Sequence, residues 1–161
     1  MTQLLIIYHS RTGGAQQMAE AAFAAAREET DTVLLRARDV DTERVLTASG
    51  YLFVAPENLA ALSGEMKEFF DRTYYPALGK IQGRPYAQMV CAGSDGENAV
   101  RQTARIATGW RLKEVHPPLI VCTYAQTEAE ILSEKTIPEA DLEKCRTIGA
   151  TLGAGLAMGV F

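Results

Sequence analysis

The feature that most constrains this chain is its alternation of short apolar runs with stretches of helical spacing. Leu4–Tyr8, Thr32–Arg36, Tyr51–Val54, Tyr86–Cys91 and Leu119–Cys122 read as five strands, the first a nearly continuous apolar run of the kind buried on both faces. Between them lie helical stripes. Ala15, Met18, Ala19, Ala22, Phe23 and Ala26 form the first, and Met66, Phe69, Phe70, Thr73 and Tyr74 form another. Val100, Ala104 and Ala107 mark a further helix, and Leu142, Cys145, Ile148, Leu152 and Leu156 mark the last. Punctuation supports the division. Pro56 is expected to stop the third strand, Ser63 to cap a helix with Glu65 in its first turn, and Pro76 to close that helix. Ser94-x-x-Glu97 reads as a capping box, Gly109 as a helix stop, and Thr136-x-x-Glu139 with Pro138 as the start of the last helix. The charged segment up to Ala48 is only weakly periodic, and Pro117-Pro118 suits a sheet edge.

Such alternation predicts an α/β fold, a doubly wound five-stranded parallel sheet of order 2-1-3-4-5 with helices on both faces. A ligand is expected beyond the carboxyl ends of strands one and three, where the winding reverses. At 161 residues the chain is expected to form one domain, 1–161. A net charge of −4, without long basic runs, gives no electrostatic support to nucleic-acid or anionic-membrane binding. The apolar run at Leu4–Ile7 is too short for a signal peptide. The uncharged stretch Ile148–Phe161 falls short of the roughly 20 residues a spanning helix needs, and reads as a buried helix end. Cys91, Cys122 and Cys145 are widely spaced and odd in number, which fits a reducing cytoplasm, and two distant histidines offer no clustered metal site.

Ser10-Arg11-Thr12-Gly13-Gly14-Ala15 sits at the predicted switch point. Two hydroxyls, two glycines and a helix N-terminus suit an anion, because free N–H groups and the helix dipole both favour negative charge. The alternative is a tight strand-to-helix turn capped by Ser10 or Thr12. No G-x-x-x-x-G-K-S/T or G-x-G-x-x-G motif occurs, so nucleoside-triphosphate and classical dinucleotide sites are excluded. G-x-S-x-G is absent too, and with it the hydrolase elbow.

Ser10-x-Thr12-Gly13-x-Ala15 is similar to the flavodoxin phosphate loop, S/T-x-T-G-x-T. The run from Pro56 to Asp71 resembles, without gaps, the P-T-x-F-G-x-M-S-x-x-M/L-K-x-F-x-D segment of flavodoxin-like FMN and quinone reductases. It matches at Pro56, Ser63, Met66, Lys67, Phe69 and Asp71. The resemblance implies a flavodoxin-like domain holding a noncovalent FMN. Its phosphate would lie on Ser10, Arg11, Thr12, Gly13, Gly14, Ala15 and Gln16, through hydroxyls and N–H groups. Its ring would lie between a second loop, Pro56, Glu57, Asn58, Leu59 and Ala60, and a third, Ala92, Gly93, Ser94, Asp95, Gly96 and Glu97. Two departures stand out. Ala15 replaces the usual threonine, and no glycine lies between Pro56 and Ser63, where Asn58 alone tolerates positive φ at moderate cost.

The expected function is that of an FMN-binding oxidoreductase in which NAD(P)H passes hydride to flavin and the flavin reduces a small acceptor such as a quinone. The cofactor carries the chemistry, so no catalytic side chain and no metal is nominated. An electron carrier of the flavodoxin type and a non-catalytic FMN- or phosphate-binding module are the alternatives. Aromatic residues are absent from Pro56 to Glu68 and from Ala92 to Thr108, which leaves a ring face open and favours a reductase. The reductase branch commonly forms oligomers, so a homo-oligomer is expected. Glu57 is expected to point to solvent, Cys91 to be a core residue, and Tyr124 to Thr127 to follow the last strand as cover for the flavin.

Overall fold

A computed structural model describes residues 1–161. The elements run β1 (Gln3–Tyr8), α1 (Gly14–Ala26), β2 (Asp31–Arg36), a 3-10 turn (Ala37–Asp39), α2 (Thr42–Thr47), β3 (Gly50–Asn58) and β4 (Ala61–Leu62). They continue α3 (Gly64–Ala77), β5 (Pro85–Ala92), α4 (Glu97–Gly109), β6 (Lys113–Glu114), β7 (Leu119–Cys122), α5 (Glu128–Leu132) and α6 (Glu139–Met158). The sheet order is β2-β1-β3-β5, with β6 and β7 sharing the position beyond β5. All these pairs are parallel, and the expected winding therefore stands, with its fifth strand divided. While β5 advances from Tyr86 to Met89, the edge advances from Glu114 to Leu119. The extra chain carries Pro117 and Pro118, which cannot donate to a ladder.

Alternate residues of each strand feed opposite cores. Leu5, Ile7, Tyr51, Phe53 and Val90 pack against α2, α3 and α4 through Val45, Phe69, Phe70 and Ala107. Leu4, Ile6, Leu52, Val54 and Met89 pack against α1 and α6 through Met18, Ala22, Ile148 and Leu152. Gly149 lets α6 press onto α1, since a Cβ there would lie 2.1 Å from the carbonyl oxygen of Ala22. That contact fixes the helix behind the β1–α1 loop.

Several boundaries differ from the sequence expectation. Pro56 does not stop β3, because β1 ends opposite Val54 and leaves that side of the strand without a neighbour. Pro76 lies inside α3, near its end. Ser94 does not cap α4. The cap is Gly96, at φ 93, packed so closely on Ile120 that a Cβ would meet its methyl at 2.7 Å. The buried face of α4 is Ala99, Thr103 and Ala107, one position out of phase with the predicted stripe except at Ala107. α6 begins after Pro138 without a threonine cap, and the N–H of Ile137 instead donates to Gln17 Oε1 at 2.9 Å. The weakly periodic segment forms α2, capped by Asp41. No helix is long and apolar enough to cross a membrane.

Candidate functional site

A cavity of about 430 Å³ opens at the carboxyl ends of β1, β3 and β5, within the usual range for small-molecule sites. Its first wall is the β1–α1 loop, represented by Arg11 and Thr12. The Ser10 hydroxyl turns inward and accepts from the Gly13 N–H at 3.0 Å, which shapes the loop. Gly13 takes φ 95 as the cap of α1, and the N–H groups of Gly14, Ala15 and Gln16 have no acceptor within the helix. Ala15 is buried in the core, and the Gln16 side chain donates to Glu20 on the helix surface. Gly14 lies over Cys91, whose sulfur would be 2.7 Å from a Cβ at that position. Burial pushes the Cys91 thiol up to about 11, with the Lys135 charge pulling the other way and Cys122 adding to the rise.

The second wall is Pro56, Glu57, Asn58 and Leu59. Asn58 pairs with Ala61, so β3 and β4 form a hairpin whose two-residue turn is Leu59-Ala60. Both take positive φ, 50 and 61. This corrects the expectation that only Asn58 would tolerate such geometry. A turn of this hand normally takes Asn-Gly, and a Cβ in the left-handed region costs about 1–2 kcal/mol. α4 holds it in place. Asn98 Nδ2 donates to the Ala60 carbonyl at 2.7 Å, and Gln102 Oε1 accepts from the Leu62 N–H at 2.7 Å. Glu57 also departs from expectation, because its Oε2 is buried and has no hydrogen-bond partner.

Ala92, Gly93 and Ser94 form the third wall. Asp95, Gly96 and Glu97 lie behind it, where Asp95 Oδ1 accepts from the Glu97 N–H at 3.2 Å at the start of α4. Beside Cys91, the remaining lining consists of Thr123, Ala125, Ile131, Leu132 and Lys135. Of these, only Ala125 belonged to the segment expected to cover the site. Tyr124 stays exposed, at φ 58. α5 supplies Ile131 and Leu132, and its start is marked by a true capping box, Thr127 with Glu130. That S/T-x-x-E signal was present in the sequence.

A polar cluster braces the loop from below. His9 Nδ1 and Ser63 Oγ share a hydrogen bond of 2.8 Å, so the Ser63 hydroxyl does not cap α3 although Ser63 occupies the cap position. Arg36 pairs with Glu65 at 3.0 Å and donates to the Ser10 carbonyl at 3.4 Å. Burial lowers the His9 pKa; Glu65 opposes the shift, while Arg36 and Arg11 add to it. No group of three or more His, Cys, Asp or Glu could hold a metal ion.

The arrangement offers a loop of open N–H groups and cations at one end, and mostly apolar walls along its length. Open N–H groups at a helix N-terminus suit an anionic group, and apolar walls suit a ring. A family described as NADPH-dependent FMN reductase matches residues 39–126. The flavodoxin of Aquifex aeolicus (strain VF5) is 36% identical over 86 residues, which cover 52% of this chain and 46% of that protein. The match thus spans about half the length of that curated relative. Among solved structures, a flavodoxin from the domain Archaea is similar with a TM-score of 0.78 and 18% identity, covering 96% of this chain and 99% of that one. A flavodoxin, WrbA-like protein from Agrobacterium tumefaciens gives a TM-score of 0.70 and 19% identity, covering 99% of each chain. At these identities the structures establish the fold.

Proposed function

The chain belongs to the NADPH-dependent FMN reductase family, and from that premise we propose that it is an FMN-binding oxidoreductase that takes electrons from NAD(P)H and delivers them to a small acceptor such as a quinone. The observation that carries this reading is the cavity itself, with the open N–H groups of the β1–α1 loop and two cationic side chains, Arg11 and Lys135, on its lining. Bound FMN would supply the hydride and electron chemistry. The Thr12 hydroxyl and the N–H groups of Arg11, Thr12, Gly14, Ala15 and Gln16 would hold its phosphate, the Gly13 N–H being taken by Ser10. Pro56 to Leu59 and Ala92 to Ser94 would flank the ring.

The walls contain no aromatic side chain, which leaves a ring face accessible to a nicotinamide. The reading includes a homo-oligomer meeting around the cavity mouth, supported by the exposed side chains of Leu59, Tyr124, Ile131 and Leu132. It places the protein in the cytoplasm, supported by three free cysteines. Anaerobic mixing of the FMN-loaded protein with NADPH and with NADH tests the activity, read as loss of the oxidised flavin's visible absorbance. Prompt bleaching by either nicotinamide is expected. The likeness to the Aquifex flavodoxin favours a second reading, an electron carrier. Flavin that is reduced only when a protein redox partner is added would replace the first reading with the second.

A further inference from the structure

We propose that Lys135 is the counter-ion for the FMN phosphate, brought to the β1–α1 loop by the segment between α5 and α6; the proposal rests on the FMN reading above. The family match ends at residue 126, short of this segment. The segment is sewn onto the loop by backbone and side chain together. The Lys135 N–H donates to the Thr12 carbonyl at 2.8 Å. Gln17, in the first turns of α1, donates through Nε2 to the Lys135 carbonyl at 2.6 Å and accepts from the Ile137 N–H at 2.9 Å. Lys135 is thereby held against Thr12 although the two are 123 positions apart in the chain.

The charge on Lys135 has no anionic partner. Its Nζ donates to the carbonyls of Ile131, at 2.8 Å, and Ser133, and lies 3.4 Å from Thr12 Oγ1, and the molecule's ion pairs do not include it. The nearest acidic neighbour in sequence, Glu134, is exposed, with its stem beside Gly13. Arg11, also on the cavity wall, likewise enters no ion pair.

The loop is short of ligands for a phosphate. The Ser10 hydroxyl is spent on Gly13, and Ala15 carries no hydroxyl and faces the core. Thr12 alone offers a side-chain hydroxyl, and the lysine ammonium sits beside it. A phosphate monoester carries about −1.5 to −2 at pH 7, and a charge-assisted hydrogen bond to it is roughly twice as strong as a neutral one. With its three N–H groups turned to Ile131, Ser133 and Thr12, Lys135 supplies positive charge beside the hydroxyl that Thr12 offers.

FMN and riboflavin differ only in the phosphate, so their affinities, measured by fluorescence quenching, isolate the interaction. Lys135→Gln is expected to weaken FMN about tenfold or more and leave riboflavin unchanged, while Lys135→Arg restores most of the loss. In the unaltered protein, added salt is expected to weaken FMN and spare riboflavin, a reading that needs no variant to fold. Equal weakening of both flavins would make Lys135 a structural clasp and overturn the proposal. So would unchanged FMN affinity in Lys135→Gln, or FMN affinity in the unaltered protein that does not respond to salt. A protein that takes up neither flavin would overturn the FMN reading, and this inference with it.

Discussion

The imidazole of His9 and the hydroxyl of Ser63 are joined by a 2.8 Å hydrogen bond between the end of β1 and the start of α3. Ser63 is fully buried, so the bond ties the β1–α1 loop to the entry of the helix that follows the β3–β4 hairpin.

The burial of His9 makes stability depend on pH. Burial holds the His9 pKa below its ordinary 6.5, so the unfolded chain binds the proton more readily than the folded one. The stabilisation is fully present above the ordinary value and is lost as pH falls through the depressed one. Melting temperature is expected to drop between about pH 7 and pH 5, and the drop should be smaller in His9→Gln. An equal drop in the variant would assign the effect to the carboxylates.

Thr12 lines the cavity and not the core. Thr12→Leu is therefore expected to weaken FMN by about tenfold or more while leaving the melting temperature of the flavin-free protein within a degree or two. Titration and thermal denaturation of the same preparation check both halves. A lower melting temperature with unchanged FMN affinity would make the loop purely structural.

The left-handed turn at Leu59-Ala60 stores strain that glycine relieves. Ala60→Gly is expected to stabilise the protein by about 0.5–1 kcal/mol, the conformational gain less the entropy glycine adds to the unfolded chain. That corresponds to a rise of about 1–4 °C on thermal denaturation. Asn98→Ala removes the clamp on the Ala60 carbonyl and is expected to lower stability by about 1 kcal/mol. The two effects should not add, because the residues share one hydrogen bond.

Gly149→Ala would force a Cβ against the Ala22 carbonyl at 2.1 Å, where the neighbour is backbone and cannot swing away. A loss of about 1–3 kcal/mol is expected, measured by urea unfolding. Since α1 carries the β1–α1 loop at its N-terminus, FMN affinity should fall in the same variant.

The sheet was legible because its strands are apolar runs such as Leu4–Ile7, and the winding followed from their alternation with helices. The first wall of the cavity followed from Ser10 to Gly14 at the switch point. Caps were harder to place, because three segments share one pattern. Thr127-x-x-Glu130 forms a box, whereas Ser94 and Thr136 do not. The choice is tertiary, made by Gly96 against Ile120 and by Gln17 holding Ile137. The β3–β4 hairpin was hidden because Leu-Ala carries no turn signal. Lys135 was hidden for the opposite reason, since its partner Thr12 lies at the far end of the chain and no local spacing joins them.

The sulfur beneath Gly14 bears on chemical durability. Quinones alkylate thiolates, and a cavity proposed to admit them carries the Cys91 side chain on its floor. Held at about 11, that thiol stays protonated and a poor nucleophile at neutral pH. An enzyme turning over electrophiles beside this wall would therefore be spared inactivation by its own substrates.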